Sequence, residues 1–505
     1  MIQDARELSE GALVEADLCI IGGGAAGMSI ARQFLDQSAL KVVLLESGGL
    51  KKDPKSHALN QGEVVGRNYF KLEDSRSRYF GGSTNCWAGL CLPLQAVDFE
   101  KRDYLPHSGW PITRADLDPF YARAQGLLDL GRYEYRSKPW GAGKRLPLDL
   151  SKGPLESAIF QMSRPTRMGT AWRDLFKTSE SVRVLLHANV TRLGLAAGGG
   201  ALEELDVKVI DGPGFKVKAR HYVLATGGLE NPRIMLASKD VNPKGVGNDN
   251  DLVGRFFMEH PHTDGEGVLV ASPHLRDWGF YKVHRARGAR IWGMFQAPDA
   301  LIKKEKMLNF SMVLFPYKPR GKKPAHPLTE AVAQAVAETD TLLDEPPPAP
   351  PKDGPLLLTL GTPSEQAPNP DSRVTLSDEK DPLGMPRIAL DWRMSDIDKR
   401  SIKRAHELMA LTVARAGLGR MKVTLDDDEK SWPKQMHGGW HHMGTTRMAS
   451  DSKSGVVDQH CTVHGVENLS IAGSSVFTTG GAANPTLTIV ALALKLADHL
   501  KGKLS

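Results

Sequence analysis

The run Asp17-Leu18-Cys19-Ile20-Ile21-Gly22-Gly23-Gly24-Ala25-Ala26-Gly27 constrains this chain more than any other stretch. A short apolar strand passes directly into a glycine-rich turn and then into a helical sequence, MSIARQFLDQ. Gly22, Gly24 and Gly27 satisfy the spacing G-x-G-x-x-G. The first two glycines, followed by the small Ala25 and Ala26, let backbone amides approach a pyrophosphate, and Gly27 lets the helix pack closely on the strand. The helix start then offers unpaired N–H groups and a partial positive charge to the phosphates. A second strand, KVVLLE, ends in Glu46, nineteen residues after Gly27. A carboxylate there suits ribose hydroxyls and repels a 2′-phosphate. Strand, turn, helix, strand and acid in this register predict a dinucleotide-binding α/β unit. The fingerprint alone does not choose between FAD and NAD; its place at the extreme N-terminus leans towards FAD.

The totals bound what surrounds that unit. A chain of 505 residues has room for two or three domains, or for one large α/β domain with a second inserted in it. Lys and Arg number 65 against 59 Asp and Glu, a balance of +6 that is too slight, and too scattered, to argue for nucleic acid. Cys19, Cys86, Cys91 and Cys461 follow no metal-ligand spacing, and in a chain of this size they read as reduced thiols. The N-terminus is acidic and polar, unlike a signal peptide, and no apolar run reaches the roughly 18 residues of a membrane span. A soluble, cytoplasmic protein without metal is expected.

Further along, Arg78-Tyr79-Phe80 leads into Gly81-Gly82-Ser83-Thr84-Asn85-Cys86-Trp87-Ala88, a loop able to pass close to a flat ring and hydrogen-bond its heteroatoms. Residues 182–193 and 203–224 alternate as strands and hairpins, and VLATGG, containing Ala225, is a strand closing on two glycines before the helix LENPRIMLAS. From about 262 the strand-like segments EGVLVAS, RIWGMFQAP, NFSMVLFPY, PLLLTLGTPSE and PRIALDW are spaced for an antiparallel sheet, followed by a long amphipathic helix at 397–417. Residues 318–355 carry a helix between Pro-rich segments, to be read as a surface excursion or oligomer contact, or as a lid. Near the C-terminus, WHHMGTTRM presents two histidines that point to opposite faces if the segment is a strand, and residues alone do not choose between His441 and His442. Asn484-Pro485-Thr486 reads as a helix start with Asn484 as N-cap and Pro485 at the first helical position.

Taken together, IGGGAAG with Glu46, GGSTNCW, ATGGLENPRIML, VGRFFMEHPH, HHMGTTRM and GSSVFTTGGAANPTLTIVALALKLADHL span nearly the whole chain. In this order they resemble the glucose–methanol–choline (GMC) oxidoreductases, and most nearly the bacterial pyranose oxidase and glycoside 3-oxidase-like branch. The resemblance implies an FAD-binding Rossmann-like α/β domain with an inserted α+β substrate domain on an antiparallel sheet. It divides the chain into 1–261 for FAD, 262–430 mainly for substrate, and 431–505 returning to the FAD domain with the active site. It implies oxidation of a CH–OH group, with His441 as the base that takes the hydroxyl proton and Asn484 beside the substrate oxygen. The hydride passes to flavin N5, and an imidazole with an ordinary pKa near 6.5 suits the proton transfer.

By the same resemblance the Val190 backbone meets the adenine and the helix at Thr486 faces the flavin's pyrimidine end. The Gly473 amide lies near the pyrophosphate, where members often carry an Asp and this chain has Ala472-Gly473-Ser474. Cys86 stands where some members carry a flavin-linked histidine; a small buried thiol is the commoner role, so FAD is expected to be non-covalent. The expected substrate is a secondary hydroxyl of a sugar or glycoside, reoxidation falling to O2 or another acceptor. The alternatives are a non-sugar or primary alcohol, flavin monooxygenase chemistry, and a non-catalytic flavoprotein.

Overall fold

A computed structural model describes the chain apart from residues 165, 276, 318–355 and 426–435. The helix and Pro-rich segments read at 318–355 therefore lie outside the described residues.

The opening fingerprint folds as its sequence predicts. Strand Leu13–Ile21 is followed at once by helix Ala25–Arg32, and Val42–Leu45 pairs parallel to the first strand. Towards their ends these strands are apolar on both faces because both faces are covered; Leu18, Cys19, Ile20 and Ile21, and Val42, Val43, Leu44 and Leu45, are all buried. The sheet runs in the order Ile2–Asp4, Val182–Leu186, Val42–Leu45, Leu13–Ile21, Gly214–Leu224, Leu202–Lys208, Asn189–Leu195, with Leu469–Ile471 pairing parallel to Gly214–Leu224. The last 19-residue helix, Thr486–Leu504, packs on helices Ala25–Arg32 and Arg114–Leu127. Its apolar face (Leu487, Val490, Ala491, Leu494, Ala497) is buried in the same core as the sheet.

A second, antiparallel sheet runs Gly419–Val423, Gly267–Ala271, Leu357–Gly361, Ser311–Pro316, Ala289–Gln296, Glu156–Met162, Leu90–Cys91, with Val283–Ala286 on one side. Two of its strands come from the first 261 residues, so residue 261 does not separate one sheet from the other. PRIALDW, expected in this sheet, lies elsewhere. Pro386–Asp391 forms a separate three-stranded sheet with Arg373–Lys380 and, in parallel, Gly62–Val64. Alternation shows that a strand is half-buried but carries no record of its partners, and here one of the two, Gly62–Val64, is over 300 residues away. Helix Asp396–Arg415 matches the amphipathic segment and is closed at its start by a Ser395–Asp398 capping box. Among the described residues no helix is long and apolar enough to cross a membrane, and no cluster of side chains suits a metal ion.

The fold aims its parallel strands at one place. Strands ending at Ile21, Leu45, Leu224 and Ile471 run into Gly22, Glu46, Ala225 and Gly473, all of which line one cavity. Crevices at the carboxyl ends of parallel strands are where open α/β sheets bind ligands.

Candidate active site

The cavity measures about 590 Å³ and reaches from the Gly22 turn to His441. That size suits an extended ligand rather than a single small metabolite. At the nucleotide end, Gly22 has φ +106°, and a Cβ there would meet the Ala225 carbonyl oxygen at 2.6 Å. Only glycine allows the two strand ends to close so tightly. Helix Ala25–Arg32 begins with Gly24 as N-cap and has no side-chain cap, leaving its first N–H groups directed at the cavity. The Glu46 carboxylate, 5 % exposed, accepts from Gly48 N–H at 2.8 Å and Gly23 N–H at 2.9 Å. Burial pushes its pKa up, and those two donors oppose the shift. Across the cavity, a Cβ on Gly473 would meet nothing within 4 Å, so that backbone too is open to a ligand. Open helix N-termini, a carboxylate for diol recognition and bare backbone suit a dinucleotide.

Most residues singled out in the sequence line this cavity; Gly27, Gly81 and Asn85 do not. A Cβ on Gly27 would lie 1.9 Å from the Gly22 carbonyl oxygen, so Gly27 serves the helix–turn contact behind the wall. Gly81, at φ +103°, shapes the loop, and Asn85 turns away to donate to the Phe80 carbonyl at 3.0 Å. Gly82, Ser83, Cys86, Trp87 and Ala88 face the cavity. The Cys86 thiol is exposed rather than buried as expected, and lies 3.3 Å from Ser77 Oγ and 3.4 Å from the Ser83 carbonyl.

At the other end three distant segments meet: 259–262, 437–442 and 480–486. HHMGTTRM does not form a strand; Trp440 and Gly444 take φ +61° and +85°, and the segment makes two isolated bridges, Met443 to Met258 and Met448 to Val457. The two histidines still diverge. His442 Nε2 lies 3.0 Å from the Tyr69 hydroxyl, whose own proton goes to Glu259, so His442 is the donor. Burial, then Arg76, holds the His442 pKa at about 3, which keeps that ring neutral.

Asn484 is not the N-cap that the sequence suggested. The helix begins at Thr486 with Pro485 as its N-cap residue and no side-chain cap. The Asn484 side chain, released from capping, points Nδ2 at His441 Nε2 at 3.2 Å. His441 Nδ1 lies 2.8 Å from His260 Nδ1, and His260 Nε2 lies 2.9 Å from the Gly481 carbonyl. These contacts assign every proton if His260 is neutral. A carbonyl only accepts, so His260 Nε2 carries hydrogen and its Nδ1 accepts from His441 Nδ1–H. The lone pair of His441 is therefore on Nε2, beside Asn484. Burial first, then His260 and His442, holds the His441 pKa well below 6.5, so the ring is neutral at neutral pH.

Glu259 supports this arrangement and carried no role in the sequence reading. It is fully buried, and its Oε2 accepts from Gly439, His441 and His260 N–H at 3.0, 2.9 and 3.1 Å while Oε1 takes the Tyr69 hydroxyl. Burial nevertheless pushes its carboxyl up to about 7. The one hint in the sequence was that MEHPH places a carboxylate and two histidines within four residues of an otherwise apolar stretch.

Comparisons with known proteins bear on the family and the fold. Residues 17–244 match the profile of FAD dependent oxidoreductases, and residues 368–493 that of the GMC oxidoreductases. A C-glycoside 3-oxidase of Microbacterium trichothecenolyticum is 27 % identical over 97 % of each chain. A 2-methyl-1,2-propanediol dehydrogenase of Mycolicibacterium austroafricanum is 24 % identical over 97 % of this chain and 96 % of its own. Among solved structures, formate oxidase of Aspergillus oryzae RIB40 shares the fold with a TM-score of 0.56, at 17 % identity over 98 % of this chain and 99 % of its own. The chain carries an FAD dependent oxidoreductase domain and a GMC oxidoreductase C-terminal domain, and it is an FAD-dependent enzyme acting on CH–OH donors.

Proposed function

We propose that the protein oxidises a secondary hydroxyl of a sugar or glycoside to a ketone, with His441 as general base and Asn484 as its partner at the substrate oxygen. The observation that carries this reading is the run of hydrogen bonds from the Gly481 carbonyl through His260 to His441, which leaves the His441 Nε2 lone pair beside Asn484 in the cavity wall. A neutral imidazole in that tautomer takes the hydroxyl proton as the C–H bond breaks. Asn484 Nδ2 donates to the oxygen on which charge develops, and Glu259 fixes the backbone at His441 so that Nε2 keeps its aim. Bound FAD supplies acceptance of the hydride. The Gly22–Ala26 turn, Glu46, Val190, Ala225 and Gly473 would hold its adenosine and phosphates; the Gly82–Ala88 loop and the Pro485–Thr486 helix start would hold its ring system. The Cys86 thiol, engaged with Ser77 and Ser83, is in keeping with non-covalent FAD. Four free thiols support a cytoplasmic setting.

The glycoside reading draws on two relatives whose names state a sugar-type substrate, the C-glycoside 3-oxidase and a paromamine 6′-oxidase of Streptomyces fradiae (24 % identical over 97 % of this chain and 92 % of its own). The diol dehydrogenase favours a second reading, an acyclic alcohol. Anaerobic mixing of the flavoprotein with glycosides, free sugars and diols decides between them. Bleaching of the flavin by glycosides, with a product two hydrogens lighter, is expected. Bleaching by diols alone selects the second reading, and no bleaching by any alcohol sinks both. Admission of air afterwards reports whether O2 is the acceptor.

A further inference from the structure

Trp440 combines three properties that meet in no other described residue. It is 42 % exposed, its backbone is left-handed at φ +61°, and it is the exposed large apolar side chain that also lines the cavity. Left-handed backbone is costly for a bulky residue and persists only where surrounding structure enforces it. Here the enforcement is visible. Glu259 Oε2 accepts from the N–H groups of Gly439 and His441, the two residues flanking Trp440. Two backbone donors closing on one oxygen make an anion-holding nest, and the nest forces the residue between them outward. Gly438 and Gly439 leave the chain room for this path; a Cβ on Gly438 would meet the Glu259 side chain at 2.5 Å. The indole is braced by Phe70, whose ring meets it edge-on at 5.5 Å and 66°, and Phe70 also lines the cavity.

An indole beside the base, held out at the cost of backbone strain, is poorly explained by packing. We infer that Trp440 is a stacking platform for the ring of a pyranoside substrate, and that the Glu259 nest holds it there. A pyranose with equatorial hydroxyls presents a face of C–H groups, which packs against the electron-rich face of an aromatic ring. The adjacent peptide links platform to base, so a ring resting on Trp440 brings its hydroxyls to the His441 end of the cavity. This assignment rests on the glycoside reading and names the residue that enforces it.

The experiment compares Trp440→Ala, Trp440→Phe and Trp440→Leu on methyl β-D-glucopyranoside, phenyl β-D-glucopyranoside and an acyclic 1,2-diol, with flavin absorbance checked in each variant. In Trp440→Ala, KM for both glucosides is expected to rise about tenfold more than KM for the diol, the size of one good aromatic contact. Trp440→Phe restores most of the affinity. Trp440→Leu keeps apolar bulk without a π face, behaves like the alanine variant, and decides the matter if the alanine variant does not fold. Equal KM changes for glucoside and diol overturn the platform, as does a fall in kcat with KM unmoved, which means that Trp440 only holds His441. A loss confined to the phenyl glucoside moves the contact to the aglycone and overturns the ring assignment. A wild-type enzyme that oxidises the diol and neither glucoside overturns the glycoside reading itself, and the platform with it.

Discussion

At the Gly22 end of the cavity the protein offers its ligand backbone; at the His441 end it offers side chains. The first end is made by continuous chain, a strand running into a turn and a helix within residues 13–32. The second is assembled from three segments up to about 220 residues apart, joined by His260 to Gly481 and by Glu259 to His441. The first end needs small residues and tolerates no Cβ at Gly22 or Gly27; the second needs particular acceptors and donors in one tautomeric arrangement. Binding and chemistry are thus carried by separable parts, and damage to each should look different.

The largest effect is expected at the binding end. In Gly27→Ala the new Cβ lies 1.9 Å from the Gly22 carbonyl oxygen, which the surrounding strand cannot yield. Overpacking of this kind typically costs about 1–3 kcal/mol and here falls on the turn that receives the phosphates. The purified variant should carry no flavin, seen as loss of the visible absorbance, and should melt below the wild type. A variant with full flavin occupancy would break the assignment of Gly27 to the turn.

His441→Ala should do the reverse. Flavin stays bound, while anaerobic reduction by substrate slows by a factor on the order of 10² to 10⁴, the range a positioned general base contributes. Undiminished reduction would mean that the proton leaves by another route. Loss of flavin would mean that the two ends are not separable after all.

That contrast also explains what the sequence revealed. The fingerprint was legible because strand, turn and helix are neighbours in the chain, and the contact of Gly27 with the Gly22 carbonyl is local. His441 and Asn484 were proposed only through resemblance, because nothing local distinguishes His441 from His442. What distinguishes them is tertiary: one faces Tyr69, the other His260 and Asn484. The same lack of local information misassigned PRIALDW to the wrong sheet and made Asn484 a helix cap. An Asn-Pro-Thr start fits a capped helix equally well whether or not a histidine competes for the amide. Glu259 and His260 went unread for the same reason, since their roles are set by residues 439–441 and 480–481.

His260 sharpens the comparison at an intermediate scale. Removing its side chain in His260→Ala frees His441 Nδ1 from its acceptor and lets the other tautomer compete. Reduction should slow on the order of a hundredfold, the low end of a base's contribution, with flavin content unchanged. His260→Asn offers a carbonyl to His441 Nδ1 and an amide to the Gly481 carbonyl, so it should recover part of the rate. If asparagine recovers no more than alanine does, the hydrogen-bond assignment is wrong and His260 serves only as packing.

The smallest expected effect is that of pH around neutrality. Burial and the neighbouring imidazoles hold the His441 pKa well below 6.5, and the neutral ring is the active form. The base is thus fully competent from pH 6.5 upward, and kcat/KM should vary by less than about twofold between 6.5 and 8.5 on its account, falling only in acid. Glu259 is the group able to disturb that plateau, because its carboxyl is pushed up to about 7. Its folded pKa lies above the usual 4.5, so its contribution to stability is present below pH 4.5 and is lost as pH rises through about 7. An inflection near 7 in kcat/KM that vanishes in Glu259→Gln would show that the charge in the Gly439–His441 nest tunes the base. A plateau unchanged by Glu259→Gln, with melting temperature no longer falling across that window, would confine Glu259 to holding the loop.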